Sequence, residues 1–299
     1  MMMFSTDGLR WAWLSLATHL YRRSNTPVAT AVCYFAVRHM DQHLRDRDPP
    51  PLLSCCFCLH VISAGIEQNH GRASWFNFGV LNVRSAVNKA AHIHDIVADL
   101  KLDVLALTET WIPSDAPDAV KVDMSPPVFG VLHQPRGSSS DRRGGGVALL
   151  RRNLIKVVHW SSLKFWRPSW HYAESLIVSC IYRPPGAITR AFCDAMADLL
   201  DKLMLTGHRL VICGNVNCPG ISQVSLDANL LDVLDRYSLT QHVSSATHDG
   251  GNLLDIIATP ASDAGLITCV NTRAVNFSDH RAVFCRLNSS WTAPTTVRY

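Results

Sequence analysis

The feature that most constrains the fold is a series of short apolar runs, each of which ends in a turn or a polar residue. Runs of this length are typical of buried strands. Three of these runs are followed by an amphipathic stretch whose apolar residues have helical spacing. The three stretches lie at 87–100, 189–205 and 226–237. Because strand and helix do not alternate strictly, a TIM barrel or a doubly wound sheet is disfavoured. The pattern predicts an α/β sandwich with sheets in the middle and helices outside.

The regular pattern covers only part of the chain. Residues 1–74 combine a charge cluster, a proline run and a cysteine cluster without a clear order of elements, which predicts a poorly ordered leader. A folded domain is expected at 75–288 and a C-terminal tail at 289–299. Within the expected domain, strands are predicted at 78–82, 103–110, 147–152, 174–182, 209–213, 253–259, 266–270 and 282–287.

Composition narrows the class of protein. Apolar residues make up 47% of the chain and charged residues 17%, which excludes global disorder. The net charge of +4 is compatible with a polyanionic partner but does not require one. Ten cysteines in a chain without a clear signal peptide indicate reduced thiols in an intracellular protein, in nucleus or cytoplasm. No apolar run reaches the roughly 18 to 20 residues of a membrane span, so no membrane association is expected.

Polar residues recur where the predicted strands end. Singly, each is more simply interpreted as a solvated loop residue or a structural histidine. Asp255 is a stronger case, because a carboxylate inside the apolar run "LLDIIAT" needs a partner if it is buried, and His280 is the candidate. The full set is Asn82, Glu109, Tyr182, Arg183, Asn215, Asn217, Asp255, Ser278, Asp279 and His280.

Together these residues suit phosphodiester hydrolysis. A hard cation such as magnesium takes oxygen ligands, which Glu109 offers. Asparagine, tyrosine and histidine side chains can donate to a phosphate as negative charge builds on it. The attacking water also needs a base, and no residue of the set is an obvious one.

The order of the motifs resembles that of the endonuclease/exonuclease/phosphatase superfamily. "LNVRS", "LALTETWI", "GGGVALL", "IYRPPG", "GNVN", "HDGGNLLDIIAT" and "SDHRAVF" occur in that family's order, over roughly residues 75–288. Within it, "TETW" and "YRPP" are most similar to the apurinic-like endonuclease domain of non-LTR (LINE-type) retrotransposons. The resemblance implies a four-layered, DNase I-like α/β sandwich with two central mixed sheets, DNA as the partner, and Mg²⁺ or Mn²⁺ as the cofactor.

The resemblance also implies roles for individual residues. Glu109 is the expected principal metal ligand, with Asn82 and Asp279 on the metal side. Tyr182 is expected to contact the phosphate, Asn217 to help hold it, and His280 to bind it with Asp255 orienting the ring. Arg183 and Ser278 are expected to bind substrate.

Two departures from the family pattern point to impaired turnover. In working relatives the turn reads Gly-Asp-Phe-Asn, and its aspartate orients or deprotonates the attacking water, whereas this chain has Asn215 and Val216 there. Loss of general-base help costs on the order of 10²- to 10⁴-fold in rate. The segment before "YRPP" is also compressed, as if one strand and its turn were missing, which predicts either an unpaired sheet edge or a changed strand pairing.

Three functions therefore remain open. The first is a magnesium-dependent nuclease that nicks DNA, impaired by Asn215. The second is a catalytically silent nucleic-acid-binding fold, in which basic residues near the glycine turn track a phosphate backbone. The third is a non-functional fragment of an element-derived copy, or an incomplete gene model, which the irregular leader and the compressed segment favour; no reverse transcriptase is expected after Tyr299. The basic residues are Arg136, Arg142, Arg143, Arg151 and Arg152.

Overall fold

Two six-stranded sheets form the centre of the molecule in a computed structural model that describes residues 56–63, 75–135, 144–153, 155–159, 176–263 and 265–288. The described residues all belong to the unit Pro51–Tyr299. The first sheet contains β1 (Cys56–Ser63), β6 (Lys156–His159), β7 (Leu176–Tyr182), β8 (Arg209–Asn215), β9 (Leu239–Gln241) and β10 (Asp255–Pro260). Their order across this sheet is β6-β1-β7-β8-β10-β9.

The second sheet is also mixed. It contains β2 (Trp75–Asn82), β3 (Val104–Thr108), β4 (Phe129–Gln134), β5 (Val147–Arg152), β11 (Ile267–Arg273) and β12 (Ala282–Asn288), in the order β11-β12-β2-β3-β5-β4. The helices are α1 (Ala90–Asp99), α2 (Asp118–Asp123), α3 (Arg190–Met204) and α4 (Ala228–Arg236), with a 3₁₀ turn at Ala261–Asp263. None of the described helices combines the length and apolar character that a membrane crossing needs.

Alternation along the strands builds the layers. On β3, Val104 and Ala106 belong to the apolar core shared with the first sheet and with α3 and α4, whereas Leu105 and Leu107 pack in a second cluster with α1. Side chains on a strand point to opposite faces in turn, so the second sheet has the first sheet on one face and α1 on the other. The predicted four-layered sandwich is confirmed.

Strand β1 fills the position where the sequence predicts a gap. It pairs antiparallel with β6 and with β7, and His60 lies opposite both His159 and Val178. Of the two expected outcomes, the unpaired edge is wrong and the changed pairing is found: on that side β7 is paired with residues from the region predicted to be a leader. The compressed segment itself, 160–175, and the rest of 1–74 lie outside the described residues, as does the tail 289–299.

Two parallel strand pairs determine where the polar residues meet. Parallel pairing of β2 with β3 places Asn82 opposite Thr108, one residue before Glu109. Parallel pairing of β7 with β8 places Tyr182 opposite Asn215, and antiparallel pairing of β10 with β8 places Asp255 opposite the same asparagine. Residues that are far apart in the chain thus come together at strand ends.

Candidate active site

The Glu109 carboxylate is held at both oxygens. Asn82 Nδ2 donates to Glu109 Oε1 at 2.8 Å, and the Trp111 indole Nε1 donates to Glu109 Oε2 at 3.1 Å. Glu109 and Trp111 both have positive φ, 55° and 56°, in the turn that follows β3. Each oxygen keeps acceptor capacity beyond its one bond, because an ionised carboxylate offers about four lone-pair positions.

Asn82 orients Glu109 in this structure. The backbone N–H of Arg84 donates to Asn82 Oδ1 at 3.1 Å, which fixes the amide with its nitrogen towards Glu109. The sequence suggests Asn82 as a metal ligand, but its nitrogen cannot serve in that role. Its oxygen accepts one hydrogen bond and keeps a second lone pair, and its nitrogen holds the Glu109 carboxylate in place.

Asp255 and His280 form a buried pair. Both are almost inaccessible to solvent, and His280 Nδ1 donates to Asp255 Oδ2 at 2.7 Å. This is the partner that the sequence predicts for a carboxylate inside an apolar strand. Burial alone would lower the pKa of His280, but the hydrogen bond and charge of Asp255, with further charge from Asp279 and Glu109, raise it above its ordinary value.

Asn215 lies between Tyr182 and Asp255 on neighbouring strands and is fully buried. Its Nδ2 donates to the Leu254 carbonyl at 3.3 Å, and its Oδ1 accepts from Asn217 Nδ2 at 2.5 Å. The amide is therefore bonded at both ends. An amide oxygen does not take up a proton near neutral pH, so this side chain cannot act as a general base.

The turn around Asn215 depends on a glycine. Gly214 has φ +123°, and a Cβ added there would lie 2.0 Å from the Ile181 carbonyl oxygen. Only glycine accommodates both the dihedral angle and the approach of β7. Asn217 follows with φ +48° and donates Nδ2 to the Arg183 carbonyl at 2.7 Å as well.

Arg183 and Ser278, which the sequence suggests as substrate-binding residues, both bond within the protein. The Arg183 guanidinium is buried and donates to the carbonyls of Asn217, Gly186 and Ala187, at 2.9, 2.9 and 2.5 Å. Ser278 Oγ donates to the Asn82 carbonyl at 2.7 Å and accepts from the His280 N–H at 3.2 Å. The Arg183 bond to Asn217 joins the "YRPPG" segment to the "GNVN" turn. The Ser278 bond to Asn82 joins the "SDH" segment to the end of β2.

Asp279 pairs with two cationic or polar partners. Arg84 Nη1 contacts Asp279 Oδ2, and His248 Nε2 lies 3.4 Å from the same oxygen. Partial burial opposes ionisation of Asp279, but Arg84, His280 and His248 outweigh it and hold its pKa below the ordinary value. The other oxygen, Oδ1, is buried and has no hydrogen-bond partner among the described residues.

Three contributors to the site are missing from the residues singled out in the sequence: Arg84, Trp111 and His248. Arg84 and Trp111 follow Asn82 and Glu109 within two residues, in strand-end motifs whose other polar positions are recognisable. His248 lies in "THDGGN", where a histidine two residues before a glycine pair is the only local signal.

The donor set fits a hard divalent cation. Glu109 supplies a carboxylate with spare lone pairs, and Asp279 Oδ1 is a buried acceptor without a partner in the described part of the chain. Oxygen donors of this kind are those that Mg²⁺ and Mn²⁺ prefer.

Comparison with known proteins identifies the family. The Endonuclease/Exonuclease/phosphatase family matches residues 77–280, whereas no curated protein sequence matches the chain significantly. The AP endonuclease LMAP from Leishmania major is similar at a TM-score of 0.57 and 15% identity, over 72% of this chain and 88% of that one. The endonuclease domain of TRAS1, a telomere-specific non-LTR retrotransposon, is similar at a TM-score of 0.54 and 13% identity, over 72% of this chain and 99% of that one.

A third solved structure extends the likeness. It is the 3′ phosphatase NExo from Neisseria bound to a product DNA hairpin, with a TM-score of 0.50 and 17% identity, over 71% of this chain and 99% of that one. At these identities the solved structures show a shared fold. The resemblance predicted from the motifs, including the likeness to a non-LTR retrotransposon endonuclease domain, is confirmed. The chain belongs to the Endonuclease/Exonuclease/phosphatase family.

Proposed function

We propose that the chain is a divalent-metal-dependent phosphodiesterase of the endonuclease type that acts on DNA, and that Asn215 impairs its turnover. Family membership supports the reaction class. Among the similar structures are an AP endonuclease and a 3′ phosphatase bound to product DNA, which supports DNA as the substrate. The observation that carries the proposal is the buried Asp255–His280 pair beside Asn215, where the charges of Asp255, Asp279 and Glu109 raise the pKa of His280.

In this proposal the residues divide the work. Glu109, oriented by Asn82 and Trp111, would hold Mg²⁺ or Mn²⁺ with help from Asp279, and the cation would polarise a phosphate oxygen. His280, kept in one orientation by Asp255, would donate Nε2–H to the phosphate as charge builds on it. Asn217 and Tyr182 would complete the phosphate side of the site.

Impairment follows from the bonding of Asn215. Both ends of its amide already have partners, and neither can accept a proton from water at neutral pH. A water could still be activated by the cation alone, so the expected result is slow cleavage rather than none.

The second candidate is a nucleic-acid-binding remnant without turnover, and the same buried amide favours it. The basic residues give it less support. Arg151 donates to the Ile155 carbonyl at 2.8 Å and Arg152 Nε donates to Asp103 Oδ1 at 2.7 Å, so both guanidinium groups already bond within the protein. Arg136, Arg142 and Arg143 lie outside the described residues.

Nicking of supercoiled plasmid by the full chain, measured once with Mg²⁺ and once with EDTA, tests the proposal. We expect slow Mg²⁺-dependent nicking by the native chain and none by Glu109→Gln. Asp118→Asn is the matched control, since it removes an exposed carboxylate that pairs with Lys121 rather than with a site residue, and it should nick like the native chain. Nicking that persists in EDTA, or in Glu109→Gln, would contradict the proposal.

A mobility shift with the same DNA separates the two candidates. If the native chain and Asn215→Asp bind DNA but neither cleaves it with Mg²⁺ or Mn²⁺, the binding remnant is supported and the enzyme is not. If neither binds nor cleaves DNA while both unfold cooperatively, DNA is not the substrate.

A further inference from the structure

We propose that His248 is a positioning residue of this site, whose Nε2–H group holds the Asp279 carboxylate next to His280. The proposal concerns the arrangement of the side chains, and only its effect on turnover rests on the proposed function. His248 belongs to none of the roles assigned above. Its Nε2 atom lies 3.4 Å from Asp279 Oδ2, and its ring meets the His280 ring edge to face, with centroids 4.9 Å apart.

The backbone around His248 is fixed from two sides. The Thr247 hydroxyl, fully buried, accepts from the N–H groups of Leu254 and Asp255, both at 3.0 Å. On the other side, Asp249 N–H donates to the Asp279 carbonyl at 2.9 Å, and Arg281 N–H donates to the Thr247 carbonyl at 2.7 Å. The turn that carries His248 is therefore tied both to the carboxylate that orients His280 and to the segment that contains His280.

The ring tautomer of His248 follows from one hydrogen bond. The backbone N–H of Gly250 donates to His248 Nδ1 at 2.9 Å, so Nδ1 must present a lone pair. The neutral ring then carries its proton on Nε2, the atom that faces Asp279. A Cβ at residue 250 would lie 2.9 Å from the same Nδ1, so a larger residue there would displace the His248 ring.

A metal site is the alternative interpretation of this cluster. Three possible ligand atoms lie within 4.8 Å of one another, one each from His248, Asp279 and His280. Binding a metal through His248 Nε2 would move the ring proton to Nδ1, where it would face the Gly250 N–H, donor against donor. That arrangement leaves a backbone donor without an acceptor. The geometry therefore favours His248 as a hydrogen donor over His248 as a ligand.

The contact has a consequence for Asp279. Arg84 and His248 both approach Oδ2, which leaves Oδ1 without a partner among the described residues. The Arg84 contact and the polar contact of His248 Nε2 at 3.4 Å lie on the same oxygen, and in this proposal they together restrict rotation of the carboxylate and keep Oδ1 in one orientation. Without His248, Arg84 alone would hold the group, and its guanidinium belongs to a side chain that is 52% exposed.

Nitrogen NMR of the full chain with ¹⁵N-labelled histidine tests the tautomer without any need for activity. Long-range ¹H–¹⁵N correlations distinguish the two neutral tautomers, and loss of one signal set in His248→Asn assigns the residue. We expect the Nε2–H tautomer, and no stoichiometric Zn²⁺ binding that depends on His248. An Nδ1–H tautomer, or a Zn²⁺-dependent shift of the His248 signals, would overturn the proposal.

Two amide variants distinguish the contribution of the His248 Nδ1 atom from that of the Nε2 atom. His248→Asn keeps an acceptor near the Nδ1 position but does not reach Asp279, whereas His248→Gln places an N–H near the Nε2 position. We expect His248→Asn to lower kcat about tenfold with KM within about twofold, since misplacement of a site group acts on turnover. His248→Gln should recover most of the loss. Equal activity of the two variants would contradict the positioning role.

These kinetics are measured in the native chain, or in Asn215→Asp if the native rate is too low. If neither chain cleaves DNA, the proposed function fails, and the tautomer measurement still decides the proposal about His248.

Discussion

Asn217 donates its side-chain N–H to Asn215 Oδ1, 2.5 Å away, while Asn215 Nδ2 donates to the Leu254 carbonyl at 3.3 Å. The first bond requires only an acceptor at position 215, and a carboxylate would supply it equally well. The second bond requires a donor, which a carboxylate lacks. The amide is thus accommodated in the fold by a contact that an aspartate could not make.

Asn215→Asp is therefore expected to be less stable than the native chain. The Leu254 carbonyl, which also accepts from the Val216 N–H at 2.9 Å, would face a buried carboxylate in place of the amide N–H, which costs about 1 to 3 kcal/mol of unfolding free energy. Urea unfolding at neutral pH measures the loss. Asn88→Asp makes the same exchange at an exposed residue and should change stability by less than about 0.5 kcal/mol. Equal stability of the native chain and Asn215→Asp would show that the Leu254 contact contributes little.

The Asp255–His280 pair is expected to be strongly coupled. Removing one member of a buried ion pair typically costs about 3 to 5 kcal/mol, because the other is left without its partner. A double-mutant cycle with Asp255→Ala and His280→Ala should give a coupling energy of about 2 to 4 kcal/mol.

The exposed pair Asp99–Arg273, joined at 2.8 Å, is the comparison for that cycle. Its coupling energy is expected to stay below about 1 kcal/mol, because solvent screens it. Similar coupling in the two pairs would argue against a buried, oriented histidine.

Strand β1 is expected to be essential for stability. Val61 lies opposite both Ile177 and Val158, and proline at this interior position removes a ladder hydrogen bond. Val61→Pro should lower the unfolding free energy of the full chain by about 2 kcal/mol or more. Val61→Thr, which keeps the backbone N–H and a β-branched side chain, should cost much less. If proline and threonine cost the same, β1 does not contribute to the stability of the sheet.

His133 is expected to make the fold sensitive to acid. Burial, with a smaller contribution from Lys121, lowers the pKa of His133 to about 4. The unfolded chain, with a histidine pKa of about 6.5, binds more protons between these values, so stability falls as pH drops from about 6.5 to 4. His133 is partly exposed, which limits its share of the loss to about 1 to 2 kcal/mol.

Urea unfolding of the native chain and His133→Gln, at pH 7 and at pH 4, measures this share. The native chain should lose more stability on acidification than the variant does. Equal losses would assign the acid sensitivity to other groups.

The elements that the sequence predicts are those whose signal is local. The runs at 78–82, 103–110 and 147–152 correspond to β2, β3 and β5, because each is apolar and buried along most of its length. The edge strand β4 was not predicted, since all its residues are only half-buried and its apolar pattern is weak. Strand β1 was not predicted either, because its partners β6 and β7 lie about a hundred residues away.

The site shows the same division. The pairing of Asp255 with His280 was predictable, because a carboxylate in an apolar strand restricts the choice of partners. The direction of the Asn82 amide was not, because it depends on one backbone N–H in the following turn. Likewise, the internal bonds of Arg183 depend on how the turn after β7 folds back on the chain.

The rate of plasmid nicking by Asn215→Asp, divided by that of the native chain in the same Mg²⁺ buffer, tests the central claim most directly. We predict a ratio of about 10² or more, because the substitution restores a carboxylate that can accept a proton from the attacking water. The increase should vanish in Asn215→Asp combined with Glu109→Gln. A ratio near one, with both proteins folded and the native chain active, would contradict the claim that Asn215 limits turnover.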